Sequence, residues 1–155
     1  MIFDDNKPQV LIIAKKLIYN ILDLPIENIV LEAEGEGEGY NACQFTLKNH
    51  LIKFRSGKIT PKKKGQFITF WKRSKSGPII PYEAIDPFDF LVISLNTKTR
   101  FGQFIFPKSA LLKYGIVSKN GKVENELCEF ILPGINLIIN NLKQISSGSY
   151  NIFLR

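Results

Sequence analysis

From its N-terminus the chain opens with helical spacing. Val10, Ile13, Ala14, Leu17, Ile21 and Leu22 recur at three- and four-residue intervals, while Lys15, Lys16 and Asn20 take the other side. This predicts an amphipathic helix over residues 8–22, with Pro8 in its first turn and Leu24-Pro25 as its stop. The period then drops to two. A strand is expected at 29–31. Cys43, Phe45 and Leu47 alternate with Gln44, Thr46 and Lys48, a turn falls at 48–50, and 51–55 runs back. Residues 66–73 read as one aromatic and β-branched strand, and 88–95 as a buried central strand. A turn at 96–100 returns the chain through a strand at 101–106, which Pro107 ends. Residues 109–114 form a short helical turn closed by Gly115. A hairpin-type turn at 119–122, a strand at 128–132, a helix at 135–144 and a last strand at 150–154 complete the pattern. The expected class is α+β: a mainly antiparallel sheet of about seven strands with a helix near each end of the chain.

Length and composition keep this picture simple. At 155 residues, 45% hydrophobic and with twelve Phe, one packed domain spanning residues 1–155 is expected rather than a disordered basic chain. No apolar run is long enough to cross a membrane, and the acidic start, residues 1–5, lacks a secretory pattern, so a cytoplasmic protein is expected. Cys43 and Cys128 lie in no paired metal motif and are read as buried free thiols.

Charge changes the picture more. Between Gly39 and Tyr82 stand ten basic residues and no acid: Lys48, Lys53, Arg55, Lys58, Lys62, Lys63, Lys64, Lys72, Arg73 and Lys75. The rest of the chain carries eleven basic and fourteen acidic residues. Phe67, Phe70 and Trp71 lie among the cations. Concentrated positive charge with aromatics is what a polyanion, above all nucleic acid, selects. Residues 55–67 hold Gly57, Pro61 and Gly65 and read as a presenting loop. In it the cluster Lys62-Lys63-Lys64 suits phosphate oxygens or simply faces water. Arg55 and Arg73 suit bidentate phosphate contacts. Trp71 is placed either to stack on a base or to face the core.

Just upstream, Glu32, Glu34, Glu36 and Glu38 alternate with Ala33, Gly35 and Gly37. In an extended strand their carboxylates share one face. Three readings stand side by side: a divalent metal site, counter-charge to the basic stretch, and plain solvent exposure. Catalytic arrangements find little support. His50 is the sole histidine and sits in the expected turn, with no partner in sequence. No phosphate-cradling nucleotide motif occurs. Metal-dependent nucleases place an acid two residues before a lysine. Here the corresponding strand reads Lys53-Phe54-Arg55, a cation where an acid would be needed.

Tyr40-Asn41-Ala42, the run from Arg55 and Lys58-Ile59-Thr60-Pro61-Lys62-Lys63 through Gly65-Gln66-Phe67, Thr69 and Trp71-Lys72-Arg73, then Asp89-Phe90 and Phe104–Lys108, resemble the MepB family of small bacterial proteins. The resemblance covers about residues 30–116 and fades beyond Glu124. It implies a restriction-endonuclease-like fold and nucleic acid as partner, and it brings no established activity with it. It marks Tyr40, Asn41, Arg55, Lys58, Thr60, Lys62, Lys63, Gln66, Trp71, Lys72, Arg73 and Lys108 as site residues, to which Lys64 is added from the lysine cluster. The reading is a cytoplasmic protein that binds nucleic acid without catalysis and without a cofactor, through residues 55–73. Two alternatives stay open: a metal-dependent nuclease using Glu34, Glu36 or Glu38 with Lys58, and a module binding an acidic protein or a small anion.

Overall fold

In a computed structural model, residues 7–32, 41–59, 66–98, 101–120, 127–130 and 150–154 are described, the last two stretches by their backbone alone. Helix α1 (Gln9–Ala14) continues as a π-helical turn over Lys15–Tyr19 and stops short of Pro25. Strands β1 (Ile26–Leu31), β2 (Cys43–Leu47) and β3 (His50–Ser56) follow. Four short strands come next: β4 (Lys58–Ile59), β5 (Gln66–Thr69), β6 (Trp71–Arg73) and β7 (Ile79–Pro81). Then come β8 (Phe90–Asn96), β9 (Phe101–Pro107), α2 (Lys108–Lys113), β10 (Leu127–Phe130) and β11 (Tyr150–Leu154). The expected C-terminal helix at 135–144 lies outside the described residues.

The class is α+β with a mainly antiparallel sheet, as the sequence pattern implies. The main sheet has six strands in the order β1-β2-β3-β8-β9-β11. Its neighbours pair antiparallel except at the centre, where β3 and β8 run parallel, Phe54 beside Val92 and Arg55 beside Ile93. The β2–β3 hairpin turns on Lys48 and Asn49, both with positive φ, 45° and 67°. Two-residue hairpin turns of this hand match the twist of the strands they join.

The parallel join forces a long connection from β3 to β8, and that connection carries two further sheets. β10, β5 and β4 form one, and β6 with β7 the other. Residues 66–73 are therefore not one strand: β5 ends at Thr69, Phe70 is buried, and β6 starts a different sheet at Trp71. The described residues hold eleven strands, six of them in the main sheet, where about seven are expected, and the other five in the two smaller sheets.

Side-chain alternation splits the core into two layers. Cys43, Phe45, Ile52, Phe54, Val92 and Phe101 face α1, whose Leu11, Ala14, Ile18 and Tyr19 cover them. Leu91, Ile93, Leu95, Phe104 and Phe106 face the other way and are covered by Ile68, Phe70, Tyr82, Phe88 and Leu111. In the first layer Tyr19 Oη donates to Gln103 Oε1 at 3.0 Å, and Gln103 Nε2 donates to Ser94 Oγ at 2.8 Å. These buried polar groups thus satisfy one another and tie the helix to the sheet. Burial pushes the Tyr19 hydroxyl pKa up from its ordinary value.

Candidate anion site on the covered face of the sheet

The second face of β3 carries its cations. With Ile52 and Phe54 turned to α1, Lys53 and Arg55 point the opposite way, as strand periodicity requires. Gln44 lies opposite Lys53 in β2, and Val30 opposite Gln44 in β1. Glu32, two residues past Val30, shares that face, and its N–H donates to Ala42 O at 3.0 Å to extend the ladder.

These residues meet around one carboxylate. Lys53 Nζ donates to Glu32 Oε1 at 3.0 Å and to Gln44 Oε1 at 2.9 Å. Arg55 Nη2 donates to Glu32 Oε2 at 2.5 Å, and its Nη1 donates to Phe54 O at 2.8 Å. Tyr82 Oη donates to the same carboxylate, 3.2 and 3.3 Å from its two oxygens. The Arg55 side chain is 1% exposed, Lys53 13% and Glu32 18%. Two cations thus share one acid at the rim of the core.

The connection supplies an aromatic cover. Tyr82 stacks on Phe70 with centroids 4.3 Å apart, and Phe88 meets both edge-on at 5.7 Å. Arg55 Cζ lies 5.4 Å from the Phe70 centroid, and Lys53 Nζ 5.3 Å from that of Tyr82. Ring faces carry partial negative charge, so they soften the cost of holding these cations away from water.

A second cluster adjoins the first. Lys72 Nζ lies 2.6 Å from both oxygens of Asp86 and 3.5 Å from Glu83 Oε2, and 6.0 Å from the Tyr82 centroid. Asp86 Oδ2 also accepts the Glu83 N–H at 2.7 Å. Lys108 donates to the Asp86 carbonyl and lies over the Phe88 ring at 4.8 Å. Together the two clusters hold Lys53, Arg55, Lys72 and Lys108 against Glu32, Glu83 and Asp86.

Several expected site residues occupy other places than a presenting loop. Arg55 belongs to the central strand β3 and is buried against Glu32, so it is not a surface clamp. Gln66 is 5% exposed, and its amide already donates to Asn96 O at 2.6 Å. Lys72 is held by Asp86, and Asn41 donates to Ser56 Oγ at 2.6 Å on the α1 side of the sheet. Trp71 is half-buried, beside Pro81. Lys58 on β4, Arg73 at the end of β6 and Lys75 in the turn after it are exposed, and Arg73 donates to Gly77 O at 2.8 Å. Tyr40, Thr60, Lys62, Lys63, Lys64, Glu34, Glu36 and Glu38 lie outside the described residues. Among the described residues no group of three or more His, Cys, Asp or Glu side chains is arranged to hold a metal ion. Nor is any helix there long and apolar enough to cross a membrane.

Sequence reasoning passed over Gln44, Tyr82, Glu83 and Asp86, and it gave Lys53 no place among the site residues. The available signal was indirect. The neighbouring strand at 88–95 is apolar at consecutive positions, which marks a sheet covered on both faces. Lys53 and Arg55 beside such a strand have to be buried too.

A family model described as MepB-like matches residues 34–125. The crystal structure of MepB superposes with a TM-score of 0.70 at 23% identity, over 89% of this chain and 95% of that one. A bacterial homing endonuclease superposes at 0.47 with 13% identity, over 87% and 80%, too loosely to carry an argument. No curated protein matches the sequence.

Proposed function

The chain belongs to the MepB-like family, and for this member we propose non-catalytic binding of nucleic acid through the connection between β3 and β8. One observation carries the reading. Of the acids described near this connection, Glu32, Glu83 and Asp86 are turned onto Lys53, Arg55 and Lys72, while exposed Asp89 accepts the Leu51 N–H at its far end. Lys58, Arg73 and Lys75 stay on the surface of β4, β6 and the turn beyond. In sequence, Lys62, Lys63 and Lys64 fall between these exposed positions. The exposed positions of β4, β6 and the turn beyond are thus rich in basic side chains, which favours backbone phosphates over any particular base. Half-buried Trp71 lies within the same stretch and offers a ring to an unstacked base.

Fluorescence anisotropy with labelled single strands and duplexes, DNA and RNA, tests the proposal. Binding is expected at low salt, weakening with added salt. A Lys62→Ala/Lys63→Ala/Lys64→Ala variant with Lys58→Ala and Lys75→Ala should bind every sequence more weakly and keep its fold. An absence of binding at low salt to all four polymers would overturn it. Incubation with plasmid and Mg²⁺ or Mn²⁺ separates binding from cleavage.

A further inference from the structure

Glu32 puts an acidic oxygen pair where three donors converge. Lys53 Nζ, Arg55 Nη2 and Tyr82 Oη all point at its carboxylate, from 3.0, 2.5 and 3.2 Å. Among the described residues two positive charges meet one negative charge there, and Lys72 stands over the same Tyr82 ring. Arg55 is nine-tenths buried and more, so its charge cannot be relieved by water. An excess cation in such a place favours a more highly charged anion.

We propose that Lys53, Arg55 and Tyr82 form a binding site for a phosphoryl dianion, and that the Glu32 carboxylate is its resident competitor. A phosphate monoester brings close to two negative charges and three strong acceptor oxygens. The arginine fork and the lysine both suit it. A phosphodiester carries a single charge, the same as Glu32, and gains nothing by displacing it. The site is thus built for a terminal or free phosphate rather than for the interior of a nucleic-acid chain.

The two sides of the contact differ in how firmly they are held. Lys53 and Arg55 stand on β3, which is bonded to β2 on one side and β8 on the other. Glu32 follows β1, an edge strand, is 18% exposed, and is tied to β2 through its N–H to Ala42 O. Its side chain can swing outward while the donors remain. Gln44 Oε1 keeps Lys53 in place throughout.

The inference does not rest on nucleic-acid binding, since it uses none of Lys58, Lys62, Lys63, Lys64 or Lys75. The test is a titration of wild type and Glu32→Gln with inorganic phosphate, followed by calorimetry and thermal shift, with sodium chloride and dimethyl phosphate at matched ionic strength as controls. Saturable phosphate binding, at least ten-fold tighter in Glu32→Gln than in wild type and absent with dimethyl phosphate, is the expected result. Equal affinity in the two proteins, or no saturable response in either, overturns the proposal. Should Glu32→Gln fail to fold, Lys53→Met in the wild-type background decides. Phosphate binding by wild type that is lost in Lys53→Met supports the site. Binding retained in Lys53→Met, or none in wild type, overturns it. A nucleoside 5′-monophosphate, and one oligonucleotide with and without its 5′-phosphate, then tell a free phosphate ligand from a strand end.

Discussion

Glu32 is paired with two cations at once, and this sets what its loss costs. Glu32→Ala leaves the Arg55 guanidinium buried against Phe70 and Tyr82 with no carboxylate. Removing one partner of such a pair costs about 3–5 kcal/mol, whereas replacing both by apolar groups is often close to neutral. Urea unfolding of Glu32→Ala should show that loss, and Glu32→Ala/Arg55→Met should recover most of it. Additive losses in the double variant would mean that the two side chains act separately. Cys43 offers a prediction in pH. Burial pushes its thiol pKa up from an ordinary value near 9 to about 12. Between those values the unfolded thiol has lost its proton and the native one has kept it, so stability falls as pH rises. The slope is at most about 1.4 kcal/mol per pH unit. Cys43→Ala should lower the whole stability curve yet flatten it between pH 9 and 11, as thermal unfolding in that window would record. At this scale the positive charge of Lys53 and Arg55 is legible in the sequence, but their surroundings are not. Strand periodicity says which way a side chain points, but not whether another layer lies on that side.

The hairpins were the most legible elements. Cys43, Phe45 and Leu47 alternate cleanly, and β2 and β3 pair with Phe45 opposite Ile52 as that alternation requires. Helix α1 was legible from its apolar spacing, although its second half widens into a π-helical turn that spacing does not foretell. Residues 66–73 were the least legible, because a continuous aromatic and β-branched run carries no mark of where one sheet hands over to another. Gly57 explains how the connection leaves β3. Its N–H donates to Ser94 O at 2.9 Å, which keeps it against β8. A Cβ there would stand 2.4 Å from Leu95 Cδ2, 2.7 Å from Gln66 Oε1 and 2.8 Å from Gln66 Cβ. Both neighbours are buried, so Gly57→Ala should destabilise the fold by about 1–3 kcal/mol, the usual range for overpacking. Chemical denaturation measures it, and a change under 0.5 kcal/mol would show that β5 shifts at little cost.

For the molecule as a whole, the balance of charge is spatial as well as numerical. Acids from outside the basic stretch reach back into it and cancel its inward cations. The connection itself, residues 57–89, holds seven basic residues and three acids, more than half of the chain's net charge of +7. Four to five phosphate contacts would give a log–log salt slope near −4 on duplex DNA. Anisotropy titrations across salt should find it, and a slope near zero would count against a charge-driven interface. The mixed class and the mainly antiparallel sheet could be read from the sequence. The parallel join of β3 to β8 could not, since both strands also belong to antiparallel hairpins and the 33 residues between them look like loop and strand rather than a crossover helix. That join also gives the Glu32–Arg55 contact a further meaning. Strands slide past one another at small cost when their side chains are interchangeable, and a slip of one residue exchanges the two faces. Slipping β3 by one place would drive Arg55 into the apolar layer beneath α1 and carry it away from Glu32. The ion pair therefore works as an address. Of all the alignments open to the central strand, it leaves one in which a buried cation finds its partner.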